Sequence, residues 1–193
     1  MQTNTLAITV LSAYFLLLLC APSAAAARAA RDPLRSWCAQ ARYPSLCVET
    51  LSNFSNSSAK PLELAQAGVK VTLGRTRSLS LYLRTLKSRT FGKRQRVALS
   101  DCVNQVSDSV TQLSRTLNEL QHLHAPTFQW QMSNAQTWTS AALTNGDACL
   151  DGFSSAPESL KMEFKRRLTD VAMLTSNALY LITRLGHTTN SRN

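Results

Sequence analysis

Catalytic signatures are missing from this 193-residue chain. It holds no Gly-x-Ser-x-Gly elbow, no phosphate-binding loop and no His-Glu-x-x-His pair. Histidine is scarce, with only His122, His124 and His187, and the carboxylates Asp101, Asp108, Asp147 and Asp151 have no spacing that singles out an acid/base pair. An enzyme is therefore not expected. No Val/Ile/Thr-rich alternating run is present, which excludes a sheet-built core. No His or second Cys sits at zinc-ligand spacing around any cysteine, so neither a metal nor a cofactor is expected. Acidic residues are few, 11 against 21 basic ones, for a net charge of +10. Such a balance points to an acidic partner or polyanionic surroundings.

Leu6 to Ala21 is a mostly apolar run, closed by Pro22 and the small residues Ser23 to Ala27. This is the pattern of a secretory signal peptide over residues 1–27. A membrane span would need about 20 apolar residues and a basic flank. No later stretch is long enough to span a bilayer, so residues 28–193 read as one soluble extracellular domain. Because no charged side chain precedes Arg28, the whole basic excess belongs to that domain. Secretion argues against nucleic acid as the polyanion, and the positive charges are not interleaved with stacking aromatics. The runs Lys93-Arg94-Gln95-Arg96 and Lys165-Arg166-Arg167 read as solvated helix faces or as an anion-binding surface.

Removal of the signal takes Cys20 with it and leaves Cys38, Cys47, Cys102 and Cys149. An even count in an oxidising compartment favours disulfides. Four cysteines permit three pairings. Pairing nearest neighbours ties Cys38 to Cys47 and leaves Cys102 to join Cys149.

Periodicity predicts an all-α fold. Tyr43-Pro44 interrupts the segment around Cys38 and Cys47, which gives a short helical hairpin within residues 31–58. The polar loop that follows holds two glycosylation sequons, at Asn53 and Asn56. A helix then runs from Pro61 to about Ser88. Leu99, Val103, Val106, Val110, Leu113, Leu117 and Leu120 form an unbroken heptad seam, the strongest periodic signal in the chain. A polar stripe of Asp101, Asn104, Asp108, Thr111 and Arg115 lies on a second face of that helix. Phe128, Met132, Ala135, Ala142 and Leu143 predict a third long helix to about Cys149. Leu160, Phe164, Leu168, Val171, Leu174, Ala178, Leu181 and Leu185 predict a fourth, which Gly186 would stop. Residues 60–186 thus read as an up-down-up-down four-helix bundle, preceded by the hairpin and held by two disulfides.

Three segments carry a resemblance: Cys38-Ala-Gln-Ala-Arg-Tyr43-Pro44-Ser-Leu-Cys47, Ala98-Leu-Ser-Asp101-Cys102, and Trp138 to Leu143 continuing through Asp147, Cys149, Asp151 and Gly152 to Phe153. Together they resemble the plant invertase and pectin methylesterase inhibitor family. The four-cysteine frame with Tyr-Pro in the hairpin agrees with the bundle and the pairing above. The segment around Trp138 and Phe153 is similar to the pectin methylesterase branch, and Pro126-Thr127-Phe128 stands where invertase inhibitors tend to have Pro-Lys-Phe.

The resemblance implies a noncovalent one-to-one complex that covers the substrate cleft of pectin methylesterase. It places the target interface at Asn104, Asp108 and Thr111, on the polar stripe, and at Ala148 and Asp151 around the fourth cysteine. Pectin methylesterase inhibitors often have Thr where this chain has Ala148. It also implies residence in the apoplast or cell wall, where the basic excess makes anionic pectin a further candidate partner. Two alternatives accompany this reading: inhibition of cell-wall or vacuolar invertase, and a cationic pectin-binding module without an enzyme target.

Overall fold

The computed structural model describes residues 33–54, 60–86, 92–153 and 158–190. The expected signal peptide, Asn56, the end of the first long helix at Ser88 and the side chain of Leu160 lie outside the described residues. Among the described residues the α-helices are α1 (Pro33–Cys38), α2 (Pro44–Leu51), α3 (Pro61–Leu86), α4 (Lys93–Gln121), α5 (Phe128–Gly152) and α6 (Glu158–Asn190). Short 3-10 turns cover Ser52–Phe54 and Ala125–Thr127. Among the described residues there is no strand.

Local chemistry sets the helix starts. Proline opens α2 and α3, where its fixed φ suits the first turn and its missing N–H costs no intrahelical bond. At α3 the Lys60 backbone N–H donates to Glu63 Oε2 at 3.0 Å, the reciprocal half of a capping box. The far end of α6 differs from expectation. The helix passes Gly186 and continues to Asn190. Gly186 has no positive φ, so it supplies no left-handed stop. It serves packing instead, because a Cβ there would meet Gln136 Nε2 at 3.6 Å and Met132 Cε at 3.7 Å on α5.

Helices α3 to α6 form a four-cornered bundle in which α3 touches α4, α4 touches α5, α5 touches α6 and α6 returns to α3. Consequently α3 and α5 stand at opposite corners. The core has two thick ends and a narrow waist. At one end Leu64, Val69, Leu120, Met132, Ala178, Leu181 and Ile182 pack with Leu34, Cys38 and Leu51 of the hairpin. At the other, Leu83, Leu99, Val106, Phe153, Phe164 and Leu168 surround the second disulfide. There Phe153 and Phe164 stack with centroids 4.0 Å apart. The waist is Leu73, Leu113 and Ala142. Of the heptad seam, Val110 and Leu117 are only half-buried against this waist.

Buried threonines complete the interior. Thr72, Thr76, Thr116, Thr139 and Thr175 are all within 1 % of full burial. Each hydroxyl donates to a carbonyl four residues earlier, at 2.7 to 3.0 Å, so none is left unpaired. Short, internally satisfied side chains let the helix axes approach closely.

The hairpin is fastened to α6 by polar contacts. The Tyr43 backbone N–H donates to Asn177 Oδ1 at 3.1 Å, and Asn177 Nδ2 donates to the Tyr43 carbonyl at 2.9 Å. Arg184 Nη1 donates to the carbonyls of Ser36 and Trp37 at 2.8 and 3.0 Å. Its guanidinium lies 4.4 Å from the centre of the Trp37 ring.

Candidate functional site

Both disulfides join the cysteines paired by chain proximity: Cys38 with Cys47, and Cys102 with Cys149. The second brings α4 and α5 to a Cα–Cα separation of 4.5 Å, with Asn104 two residues after one end and Ala148 one residue before the other. Farther along, hydroxyl and amide groups clamp the same two helices. Ser109 Oγ donates to the Ala142 carbonyl at 3.3 Å and Asn145 Nδ2 donates to Gln112 Oε1 at 3.2 Å, while the Thr116 and Thr139 hydroxyl oxygens, each donating within its own helix, pack 3.3 Å apart. At the other end Glu119 accepts from Gln131 Nε2 at 2.9 Å and from Asn134 Nδ2 at 3.3 Å. A covalent tie and a ladder of hydrogen bonds thus hold the outer surface of this pair in one geometry.

On that surface Asn104, Asp108 and Thr111 are exposed, as helical spacing beside Val103 and Val106 requires. Ala148 and Asp151 are exposed on α5. The structure therefore sets all five expected interface residues on the outer sides of two helices in contact. Thr111 Oγ1 donates to the Ser107 carbonyl of its own helix at 3.3 Å. The polar side chains of Asn104, Asp108 and Asp151 make no hydrogen bond within the described residues, which leaves them to water or a partner.

Two features extend the site beyond the expected residues. Thr144 is exposed on α5, seven residues before Asp151, on the line that a heptad count along α5 would have marked. Trp138 is half-buried and carries the Arg115 guanidinium 5.9 Å from its ring centre. Trp138 and Arg115 border a shallow depression of about 420 Å³ that also takes in Val110, Thr111, Ser114, Asn118 and Glu119. Trp and Arg side chains dominate binding energy where they are desolvated on docking.

The electrostatics of the pair run against the rest of the molecule. Helix α5 contains no Lys or Arg and carries Asp147 and Asp151, while α4 adds Asp101 and Asp108. All four carboxylates are exposed. Three of the four basic residues on α4, Lys93, Arg94 and Arg96, gather in its first turn, and the fourth, Arg115, lies over Trp138.

Among the described residues no group of three His, Cys, Asp or Glu side chains converges. His122 Nδ1 lies 2.9 Å from the Asn118 carbonyl at the end of α4, and His122 and His124 are both exposed. No described helix is long and apolar enough to cross a membrane.

The fold recurs in known proteins. The chain is 46 % identical to pectinesterase inhibitor 3 of Arabidopsis thaliana over 167 residues, which covers 82 % of each chain. It is 38 % identical to pectinesterase inhibitor 9 of the same plant, over 76 % of this chain and 77 % of that one. A crystal structure of a mutant form of a pectin methylesterase inhibitor from Arabidopsis superimposes with a TM-score of 0.63 at 20 % identity, covering 78 % of this chain and 95 % of that one. That likeness is one of fold. The family described as plant invertase/pectin methylesterase inhibitor matches residues 32–181, and the chain belongs to that family.

Proposed function

We propose that this protein is a secreted inhibitor of pectin methylesterase that binds the enzyme through the α4–α5 face and covers its substrate cleft in a noncovalent one-to-one complex. It belongs to a family of inhibitors and is not an enzyme. The observation that carries the reading is the 46 % identity, over 82 % of both chains, to a protein named pectinesterase inhibitor. Geometry supplies the physical support. The exposed line of Asn104, Asp108 and Thr111, beside Ala148 and Asp151, rests on two helices tied by the Cys102–Cys149 disulfide. A surface already ordered loses little conformational freedom on docking. The acidic cast of the face sets a complementary basic surface on the enzyme as the partner chemistry. The signal-like residues 1–27 support secretion, family membership supports the apoplast as the compartment, and a glycan at Asn53 is compatible with its exposed position in the turn after α2.

Titration of a pectin methylesterase with the purified protein, followed by chromatography of the mixture, tests this directly. A sharp end point near one equivalent and co-elution of both proteins are expected. Inhibition of an invertase in a parallel titration, with the esterase untouched, would instead assign the chain to the family's other target.

A further inference from the structure

We propose that the outer face of α3 is a docking stripe for a linear polycarboxylate, held by Lys70, Arg77 and Arg84. These residues are spaced i, i+7 and i+14, so they fall on one line along the helix. At 1.5 Å per residue, neighbouring cations are about 10 Å apart and the line spans about 21 Å. All three are exposed and have no ion-pair partner among the described residues. The same line begins at Glu63, whose carboxylate already accepts the Lys60 N–H, and no acid follows it on α3. Arg75 lies off the line toward α6, 3.9 Å from Asp170. Between the cations the surface is low: a Cβ on Gly74 would meet nothing within 4 Å, while Leu81 is 65 % exposed. An extended chain can lie along such a surface.

Charge segregation separates this stripe from the inhibitory face. Helix α3 holds four basic residues and one acid, and α5, at the opposite corner, holds two acids and no base. At low salt, where the Debye length exceeds this spacing of about 10 Å, the potentials of neighbouring cations reinforce one another along the line. A compact anion can engage one cation of the line at a time, whereas a linear polyanion engages all three and releases its counterions. The identity of the polymer rests on the inhibitor reading. Hydrolysis of pectin methyl esters leaves carboxylates along the chain, so the product of the inhibited enzyme is a polyuronate. Docking on α3 would hold the inhibitor where de-esterification has already occurred, with the α4–α5 face still turned to the enzyme.

The test measures binding of the full mature protein to polygalacturonate, and to highly methylesterified pectin, over a salt series. The Lys70→Gln, Arg77→Gln, Arg84→Gln variant is compared with a charge-matched Lys93→Gln, Arg94→Gln, Arg96→Gln variant. Expected is a loss of polygalacturonate affinity on the order of tenfold at low salt, with a shallower salt slope, in the α3 variant only. Equal losses in the two variants would reduce the effect to net charge and overturn the stripe. Unchanged binding by the α3 variant, or equal binding of the esterified polymer, would overturn it too. Inhibition of pectin methylesterase should be the same for the α3 variant and the wild type, and its loss would move the stripe into the enzyme interface. A wild type that binds polygalacturonate without inhibiting the esterase would refute the inhibitor reading and leave the stripe standing.

Discussion

Replacing Asn177 by alanine isolates the interaction that docks the hairpin on the bundle. Asn177 is 4 % exposed and makes two hydrogen bonds to one residue 134 positions away, accepting from the Tyr43 N–H and donating to the Tyr43 carbonyl. Truncation removes both partners of Tyr43 in a place with little water. A net hydrogen bond contributes about 0.5 to 1.5 kcal/mol, so the pair amounts to about 1 to 3 kcal/mol. Asn177→Asp keeps the acceptor but sets a carboxylate against the Tyr43 carbonyl, and should cost at least as much. Urea unfolding measures the difference, with the midpoint falling and the slope unchanged if the native fold persists. Because the loss is local, tryptic cleavage after Arg42 should also accelerate more than global unfolding accounts for. A change in stability below about 0.5 kcal/mol, with cleavage at Arg42 unaltered, would refute the clamp.

Removing the Cys102–Cys149 bridge by a double alanine substitution opens a loop of sequence separation 47 and should lower stability by about 4 kcal/mol on the chain-entropy estimate, read by calorimetry or urea titration. Glu163 is held below its ordinary value near 4.5 by the Tyr82 hydroxyl and then by Arg167, whose Nη2 lies 3.3 Å from the carboxylate. The hydroxyl itself, buried and without a hydrogen bond of standard geometry, is pushed up first by burial and then by Glu163. A lowered carboxyl stabilises the fold above its unfolded value and loses that contribution as pH falls through the folded one. Thermal midpoints should therefore drop as pH descends below about 4.5, and less steeply in Glu163→Gln. Ala148→Thr places a hydroxyl on an exposed helical position of the proposed interface, so it should tighten inhibition while lowering stability by about 0.5 to 0.7 kcal/mol through helix propensity.

Much of the bundle was legible because long helices write their burial in heptads. Leu99, Val103, Val106, Leu113 and Leu120 are buried as the seam required, and the cysteines pair by proximity. The buried threonines were not legible. Thr72, Thr76, Thr116 and Thr139 read as polar, yet each satisfies its hydroxyl on its own helix and packs inside. Gly186 misled for a related reason, since close approach to Met132 and Gln136, and not a left-handed turn, accounts for a small residue there. Within the candidate site, exposure of the α4 stripe followed from spacing alone. The Trp138–Arg115 contact and the Asn145–Gln112 bond depend on how α4 and α5 are set against each other, which no single-helix pattern contains.

The claim that the α4–α5 face inhibits is tested most directly by titrating pectin methylesterase with the Asn104→Ala, Asp108→Ala, Thr111→Ala triple variant. All three residues are exposed, so each substitution should change stability by no more than about 0.5 kcal/mol, and the variant should fold as the wild type does. Val106→Ala, in the core at 2 % exposure, is the opposing control: it should lose about 1 to 3 kcal/mol of stability yet inhibit fully per folded molecule. The expected result is a folded triple variant whose inhibition is weakened at least about tenfold, equivalent to 1.4 kcal/mol of binding. A triple variant that inhibits as strongly as the wild type would contradict the account and place the inhibitory surface on another face.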